Sequence, residues 1–132
     1  RLMELFALLA RMQDSEDAPE ALSDRYRLLM DRAADYIAER CAETLSSGEL
    51  AEPFHMSRSY FHRLFKRHTG LSPHQYQMLQ RINKAKQLLE YTEDAITDIA
   101  LAVGFGDMAH FSRTFKEATG ESPSAFRARV RG

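Results

Sequence analysis

One sequence pattern occurs twice in this chain. The pattern Phe-x-Arg-x-Phe-Lys-x-x-Thr-Gly-x-Ser-Pro occupies residues 61–73 and recurs at residues 111–123. Both copies keep the Arg between the two Phe residues, the Lys that follows them and the Thr-Gly-x-Ser-Pro ending. Two copies of one small helical unit are the simplest explanation. Because two copies are too few for an array that buries its core by stacking, the repeat predicts a pair of like units.

The net charge conceals an uneven distribution of charged residues. The chain as a whole carries a formal charge of -1 at pH 7, yet residues 53–89 contain no Asp or Glu. Such a segment predicts a positive surface, and phosphate is the commonest large anion that such surfaces bind. The alternative is an ordinary solvated face. The basic residues of the segment are Arg58, Arg63, Lys66, Arg67, Arg81, Lys84 and Lys86.

Length and composition exclude several classes of protein. The 132 residues, of which 44% are hydrophobic, suffice for one compact domain or two very small ones. No run approaches the roughly 18 apolar residues that cross a bilayer, so we expect no membrane segment. Cys41 is the single cysteine. It cannot form an internal disulfide, and a reducing cytoplasm is therefore the expected location.

Helical periodicity divides the chain into segments. Residues 2–12 predict a short amphipathic helix and residues 13–23 an acidic linker, so that residues 1–23 are expected to follow a missing upstream domain. Ser23 is expected to cap a helix from residue 24 to about residue 44. Within the domain at 24–132, we predict a first helix-turn-helix at about 46–70, a connecting helix at about 72–91, a second helix-turn-helix at about 95–120 and a C-terminal helix at about 122–131.

Helix start and stop signals support this division. Glycines end the two central helices of the repeat, at Gly70 and Gly120. The fold is therefore predicted to be all-α, with about seven helices in two helix-turn-helix subdomains that a long connecting helix joins, after a short N-terminal amphipathic helix. The expected N-caps are Ser46, Ser57, Ser72, Asp107 and Ser122. The expected apolar stripe of the connecting helix is Tyr76, Leu79, Ile82, Ala85, Leu88 and Leu89.

The two repeated helices each predict one buried and one exposed face. The buried positions are expected to be Phe61, Leu64, Phe65 and His68 in the first helix, and Phe111, Phe115 and Ala118 in the second. An α-helix fits the major groove of B-DNA, where Arg holds guanine through two hydrogen bonds. Arg63 and Arg113 occupy equivalent exposed positions and are the main candidates for base readout.

Other exposed residues of the two helices suggest complementary roles. Ser59 and His62 are able to exchange hydrogen bonds with a base edge, whereas Met108 and Ala109 suit a thymine methyl group. A connecting helix of about 18 residues spans about 27 Å, which is compatible with the roughly 34 Å between successive major-groove segments. The expected phosphate contacts are Arg58, Lys66, Arg67, Arg81, Lys84, Ser112 and Lys116.

These residues resemble the DNA-binding domain of the AraC/XylS family of bacterial transcription regulators. The most specific part is Ile-Thr-Asp-Ile-Ala-x-x-Val-Gly-Phe-x-Asp at residues 96–107, followed by His-Phe-x-Arg-x-Phe-Lys at residues 110–116. Residues 81–89 also match the Arg-x-x-x-Ala-x-x-Leu-Leu pattern of the family's connecting helix. The chain departs from the family where His55 replaces a common Gly and where Pro53 lies late in a helix, so the first motif is expected to be bent or shortened there.

The resemblance implies sequence-specific binding of double-stranded DNA by two recognition helices in successive major-groove segments. RNA polymerase is an expected partner, and residues 2–12 or the upstream domain are the expected homodimer contact. No cofactor is implied. The base contacts that the resemblance implies come early in each recognition helix: Ser59, His62, Arg63, Met108, Ala109, His110 and Arg113.

Two other classes of function fit the sequence less well. DNA-repair methyl-acceptor proteins share this module, but they need a reactive cysteine and a cysteine cluster for zinc, so the single Cys41 argues against an enzyme. Four histidines lie in the acid-free segment without an i, i+4 pair on a helix, which argues against a metal site. The remaining alternative is a helical module that contacts the transcription machinery without reading bases.

Overall fold

The protein is all-α in the part of the chain that the structure describes, residues 20–132 of a computed structural model. The predicted helix at residues 2–12 and most of the predicted linker lie outside these residues. None of the described helices is both long and apolar enough to cross a membrane. The elements are α1 (Glu20–Glu39), α2 (Ser47–Ala51), a 3-10 helix (Glu52–Phe54), α3 (Arg58–Thr69), α4 (Pro73–Tyr91), α5 (Ile96–Ala102), α6 (Met108–Thr119) and α7 (Pro123–Arg131).

The bounds of α1 differ from those that the sequence predicted. The helix begins at Glu20 and not after Ser23, and it ends at Glu39 and not near residue 44. The helix includes four residues before the predicted start, Glu, Ala, Leu and Ser at positions 20–23. None of these residue types breaks a helix, so the helix does not begin at the predicted cap Ser23. At the other end, the carbonyls of Cys41 and Glu43 accept hydrogen bonds from side chains of α4 and do not continue the helix.

The described residues divide into two compact units. Unit 1 comprises residues 20–37 and Leu45–Tyr76 of the described chain. Its core is formed by one side of α1, the short α2 and the buried face of α3. Aromatic rings fill much of this core: Phe61 stacks on Phe54 at 6.0 Å between centroids, and Phe65 meets Tyr76 edge-on at 5.3 Å. Such pairs add to the stabilisation that burial alone provides.

Unit 2 comprises Ala38–Thr44 and Gln77–Gly132. Its core contains buried aliphatic residues of α4 and α5 and a row of phenylalanines. The rings of Phe105, Phe111, Phe115 and Phe126 contact one another in that order, with centroid distances between 5.2 and 5.7 Å. The two phenylalanines of each sequence repeat are thus the centre of a core, which explains why both copies keep them.

The predicted N-caps are confirmed at Ser46, Ser57, Ser72, Asp107 and Ser122. The side chains of Ser57 and Asp107 accept hydrogen bonds from the N–H groups three residues later, at 3.1 and 2.7 Å. Gly70 and Gly120 end α3 and α6 in the left-handed conformation, with φ of 83° and 87°. A side chain there would be strained, which is why glycine occupies both positions.

The threonine of each repeat closes the turn that follows α3 or α6. The hydroxyl of Thr69 donates to the Phe65 carbonyl at 2.9 Å and accepts from the Leu71 N–H at 3.1 Å. Thr119 makes the equivalent bonds with the carbonyl of Phe115 and the N–H of Glu121. The shared Thr-Gly-x-Ser-Pro ending therefore encodes a helix stop, a hydrogen-bonded turn and the start of the next helix.

The turns inside the two helix-turn-helix motifs differ, and Pro53 and His55 account for the difference. The α-helix of the first motif ends at Ala51, and Pro53 lies in the 3-10 helix that follows, so the predicted shortening is confirmed. His55 adopts the left-handed conformation with φ of 57°. In the second motif Gly104 has φ of 107°, a value that glycine reaches without strain.

Two residues expected in the core are exposed. Leu79 in the middle of α4 retains 38% of its accessible surface and belongs to neither core cluster, although its neighbour Met78 packs against the second. Ala118 in the last turn of α6 is also exposed. There the core is already closed by Phe126, whose ring packs against Phe115 at 5.5 Å.

Candidate nucleic-acid interface

The exposed face of α3 is strongly cationic. Tyr60, Phe61, Leu64 and Phe65 are buried, which fixes the helix on the core of unit 1. The opposite side carries every basic and polar residue that the sequence predicted for it. These exposed residues are Arg58, Ser59, His62, Arg63, Lys66 and Arg67.

A surface cavity lies beside the first two turns of α3. It has a volume of about 650 Å3 and is lined by Ser47, Arg58, Ser59, His62 and Arg63. Three of these residues are the predicted base contacts of this helix, so the structure brings them together on one concave surface. Ser47 was not predicted as a site residue. It reaches the cavity from the start of α2, and no feature of the sequence around it indicates this.

Two contacts hold arginines of this surface in place. The Arg63 guanidinium lies over the ring of Tyr60 at 5.9 Å, a cation–π arrangement that restricts its otherwise flexible side chain. Arg58 lies against Gly48 of α2, where an added Cβ would approach its Nε to 3.0 Å. The absence of a side chain at position 48 therefore leaves space for the Arg58 guanidinium beside the cavity.

The corresponding face of α6 in unit 2 is less polar. Ala109, His110, Arg113 and Lys116 are exposed, as predicted. Met108 and Ser112 are only partly exposed, and Met108 packs against the core of unit 2. Part of the Met108 side chain is therefore a core contact, and less of it is available to a thymine methyl group than the sequence suggested.

His110 is oriented by an aromatic neighbour. Its ring meets Phe105 edge-on at 5.2 Å between centroids, and its backbone N–H is the one that Asp107 caps. Phe105 is itself buried. The direction of this candidate base contact thus depends on the turn that precedes α6.

The structure gives Arg81 a different role from the predicted phosphate contact. The residue is only 8% exposed, and its guanidinium donates to the carbonyls of Cys41 at 2.5 Å, Gly104 at 2.9 Å and Glu43 at 3.1 Å. Burial lowers the pKa of the Arg81 guanidinium, an effect that Cys41 partly opposes. Arginine nevertheless stays charged in proteins, and the three carbonyls satisfy this buried charge. The sequence pattern reveals the cation but not its partners, which lie far away in the chain.

The other predicted phosphate contacts remain accessible. Ser112 is the one that is partly buried. Exposed cations on or beside a recognition helix are able to approach a phosphate without loss of a structural bond. The exposed members of this group are Arg58, Lys66, Arg67, Lys84 and Lys116.

Three arginines of α7 are engaged in structural contacts. Arg127 donates to the carbonyls of Leu89, Thr92 and Asp94 at the end of α4. Arg131 donates to the carbonyls of Glu90 and Thr92 and pairs with the carboxylate of Glu93 at 3.0 Å. Arg129 binds the carboxylate of Glu121 at 2.8 Å. These side chains satisfy backbone carbonyls at and after the end of α4 and pair with two acidic neighbours, so a basic C-terminal helix is not by itself a phosphate surface here.

His68 differs from its predicted role in core packing. Its Nε2 lies 2.6 Å from the Asp31 carboxylate of α1, and the side chain is partly exposed. No group of three or more potential metal-ligating side chains occurs within the described residues.

Comparison with known proteins identifies the family. A family model described as a helix-turn-helix domain matches residues 50–129, which include the second motif and all of the first except the start of α2. The transcriptional activator RhaS of Enterobacter sp. (strain 638) is 39% identical over 92 residues, which are 70% of this chain and 33% of that protein. RhaS of Salmonella schwarzengrund is 33% identical over 96% of this chain and 53% of its own length. The chain thus spans about a third to a half of these curated relatives.

Solved structures agree with this assignment. An AraC-type transcriptional regulator from Chromobacterium violaceum has a TM-score of 0.73 at 33% identity, over 77% of this chain and 91% of the other. The DNA-binding domain of AdpA, solved in complex with a target DNA, has a TM-score of 0.72 at 30% identity, over 77% and 92% of the two chains. With both helix-turn-helix motifs matched in sequence and fold, the chain belongs to the AraC/XylS family of transcription regulators.

Proposed function

We propose that this chain binds double-stranded DNA sequence-specifically and that α3 and α6 are its recognition helices, each entering one of two successive major-groove segments. The observation that carries the proposal is the repeat itself. Each helix is fixed by a buried pair of phenylalanines and displays an exposed arginine, Arg63 or Arg113, at the same position between them. The similarity to the AdpA domain, which was solved with a target DNA, supports the same role.

The two helices are suited to different kinds of base readout. On α3, Ser59, His62 and Arg63 line a concave surface and offer hydrogen bonds to base edges. On α6, His110 and Arg113 offer hydrogen bonds, whereas Ala109 and the exposed part of Met108 suit the methyl group of thymine. We therefore expect unit 1 to discriminate more strongly among bases than unit 2.

Contacts with phosphate supply the remaining affinity. The proposed partners are the exposed Arg58, Lys66, Arg67, Lys84 and Lys116 together with Ser112. Such contacts fix the register of the protein on the duplex and make binding dependent on salt, but they carry no base preference. Arg81 is not included, because its guanidinium is buried and bonded to three carbonyls.

The relatives suggest the context of this binding. RhaS is named a transcriptional activator, and activation through contact with RNA polymerase in the cytoplasm is the corresponding proposal for this chain. A homodimer is also proposed, either through residues 2–12, which lie outside the described residues, or through an upstream domain. We propose no catalytic step and no cofactor.

Selection of bound sequences from a random duplex pool at physiological salt tests this function. The wild-type chain is expected to select two short base patterns at a fixed spacing. Arg63→Ala is expected to relax preference within one pattern, because it removes a bond worth about 1 to 3 kcal/mol of discrimination. Lys66→Ala is expected to weaken all sequences alike and to lower the slope of log affinity against log salt by about one.

The exposed Arg32 of α1 provides a matched control. Arg32→Ala removes the same side chain as Arg63→Ala from outside the recognition helices and should alter neither base preference nor salt slope beyond a small general effect. Indistinguishable results for Arg63→Ala and Lys66→Ala would refute the division between base and phosphate contacts. An absence of salt-dependent DNA binding would instead favour the protein-interaction module.

A further inference from the structure

Arg81 links two segments of unit 2 that are distant in sequence. One segment follows α1 and supplies the carbonyls of Cys41 and Glu43, and the other is the turn between α5 and α6, which supplies the carbonyl of Gly104. The side chain is buried between them. A single guanidinium with its donors in a fixed planar arrangement therefore sets the distance between these two pieces of backbone.

The turn that Arg81 holds is tightly packed. An added Cβ at Gly104 would lie 2.7 Å from the Ala42 carbonyl oxygen and 2.9 Å from Cζ of Arg81. Backbone of the segment after α1, the Arg81 guanidinium and the turn are therefore in direct contact. Because packed groups of this kind have little freedom to shift, loss of one member is expected to displace the others.

Contacts continue from this turn into the recognition helix. Phe105, the residue after Gly104, lies under the Arg81 guanidinium at 5.6 Å. The same ring meets His110 at 5.2 Å and Phe111 at 5.2 Å. His110 is exposed in the first turn of α6, whereas Phe111 is buried in the core. Phe105 thus connects Arg81 to a candidate base contact through two ring contacts.

We propose that Arg81 is a positioning residue for base readout by unit 2: by bridging Cys41, Glu43 and Gly104, it fixes the turn and the Phe105 ring against which His110 and the start of α6 are oriented. This inference rests on the proposed DNA-binding function. It assigns to Arg81 an effect on the selectivity of one recognition helix, although the side chain itself contacts no DNA.

The sequence repeat supplies an internal comparison for Arg81. Arg131 follows Pro123 at the same spacing as Arg81 follows Pro73. Arg131 donates to the carbonyls of Glu90 and Thr92, at the end of α4, as Arg81 donates to carbonyls that follow α1. Binding the end of the preceding helix is therefore common to both copies. The bond to Gly104 distinguishes Arg81 from Arg131.

The test uses selection from a random duplex pool with the complete 132-residue chain. Arg113→Ala identifies the base positions that unit 2 reads, because it abolishes base preference at them. Arg63→Ala identifies the positions that unit 1 reads through its effect on base preference. Arg81→Lys keeps the positive charge but has no planar fork to reach three carbonyls. It is expected to lower the preference at unit 2 positions by about tenfold, a loss comparable to that of one base contact. Preference at unit 1 positions and the salt slope should be unchanged.

Two further variants make the result decisive. Arg131→Lys is the matched control, because it makes the same substitution at the corresponding carbonyl contacts and should leave preference at unit 2 positions intact. Phe105→Leu retains Arg81 and a buried apolar side chain but removes the ring that faces His110. It is expected to reproduce the loss at unit 2 positions, and it decides the question if Arg81→Lys unfolds at the assay temperature.

Two outcomes would overturn the inference. One is retention of full preference at unit 2 positions in a folded Arg81→Lys chain or in Phe105→Leu. The other comes from an additional variant, Arg81→Met, which removes the positive charge: uniform weakening of all sequences with a salt slope lower by about one is the behaviour of a phosphate contact. Failure of the wild-type chain to select any sequence is a separate result, and it would refute the proposed DNA-binding function.

Discussion

At the scale of single residues, backbone conformation distinguishes the two helix-turn-helix turns. Gly104 and His55 both have positive φ, but only glycine reaches this region without steric conflict between Cβ and the backbone. For a residue with a side chain the conflict costs roughly 1 to 2 kcal/mol. Histidine is among the residues that tolerate it best. The first turn is therefore the less favourable of the two in local backbone energy.

Substitution of His55 tests this difference. His55→Gly is expected to raise the free energy of unfolding by up to about 1 kcal/mol, because relief of strain exceeds the added flexibility of the unfolded chain. His55→Val, with a β-branched side chain in the same conformation, is expected to lower it by about 1 to 2 kcal/mol. Urea denaturation of the three chains measures both effects. Equal stability of the Gly and Val variants would contradict the left-handed conformation at position 55.

At the scale of elements, each recognition helix depends on a polar cap at its first turn. Asp107 accepts from the His110 N–H at 2.7 Å, and Ser57 accepts from the Tyr60 N–H at 3.1 Å. These bonds satisfy N–H groups that have no partner within the helix. The caps also fix where each helix begins and hence which residues occupy its first exposed turn.

Removal of the Asp107 cap is expected to destabilise α6. Asp107→Ala should lower the free energy of unfolding by about 1 kcal/mol, because the His110 N–H loses its acceptor. Asp107→Asn keeps an acceptor oxygen without the charge and should cost only a few tenths of this. Thermal unfolding with amide exchange at His110 measures the effect. If Asn proved as costly as Ala, interaction of the charge with the helix dipole would outweigh the capping bond.

Elements with local signals were predictable from the sequence, whereas those that depend on distant partners were not. Ser57, Asp107, Gly70 and Gly120 act within four residues of their own positions, so their residue types alone predicted helix starts and stops. The role of Arg81 depends on Cys41, which lies 40 positions away, and that of His68 on Asp31, 37 positions away. Neither partner is indicated by periodicity or spacing.

The candidate site likewise has features that the sequence predicted and features that depend on distant packing. The exposed faces of α3 and α6 followed from helical periodicity, because burial of the phenylalanine pairs determines which side remains accessible. The partial burial of Met108 did not, since it results from packing against the core of unit 2. Ser47 was missed for a similar reason: it joins the cavity beside α3 through the packing of α2 and not through any feature of its own sequence.

At the scale of the whole molecule, the buried hydrophobic residues that the structure describes form two clusters. One cluster contains Phe61 and Phe65, and the other contains Phe111 and Phe115. Each cluster surrounds one recognition helix, while α4 contributes Tyr76 to the first and Ile82 to the second. Because burial of apolar surface is the main stabilising contribution, each unit has its own source of stability.

This division predicts that damage to one core remains local. Phe65→Ala is expected to lower the stability of unit 1 by about 3 to 5 kcal/mol through loss of buried surface and creation of a cavity. Amide exchange should then accelerate in α3, whereas α6 retains its protection, because its cluster is intact. Phe115→Ala, the equivalent change in the other repeat, is the matched control and should give the reverse pattern. Equal acceleration of α3 and α6 in both variants would mean that the two clusters unfold as one cooperative unit, and the separation of the cores would then have no energetic consequence.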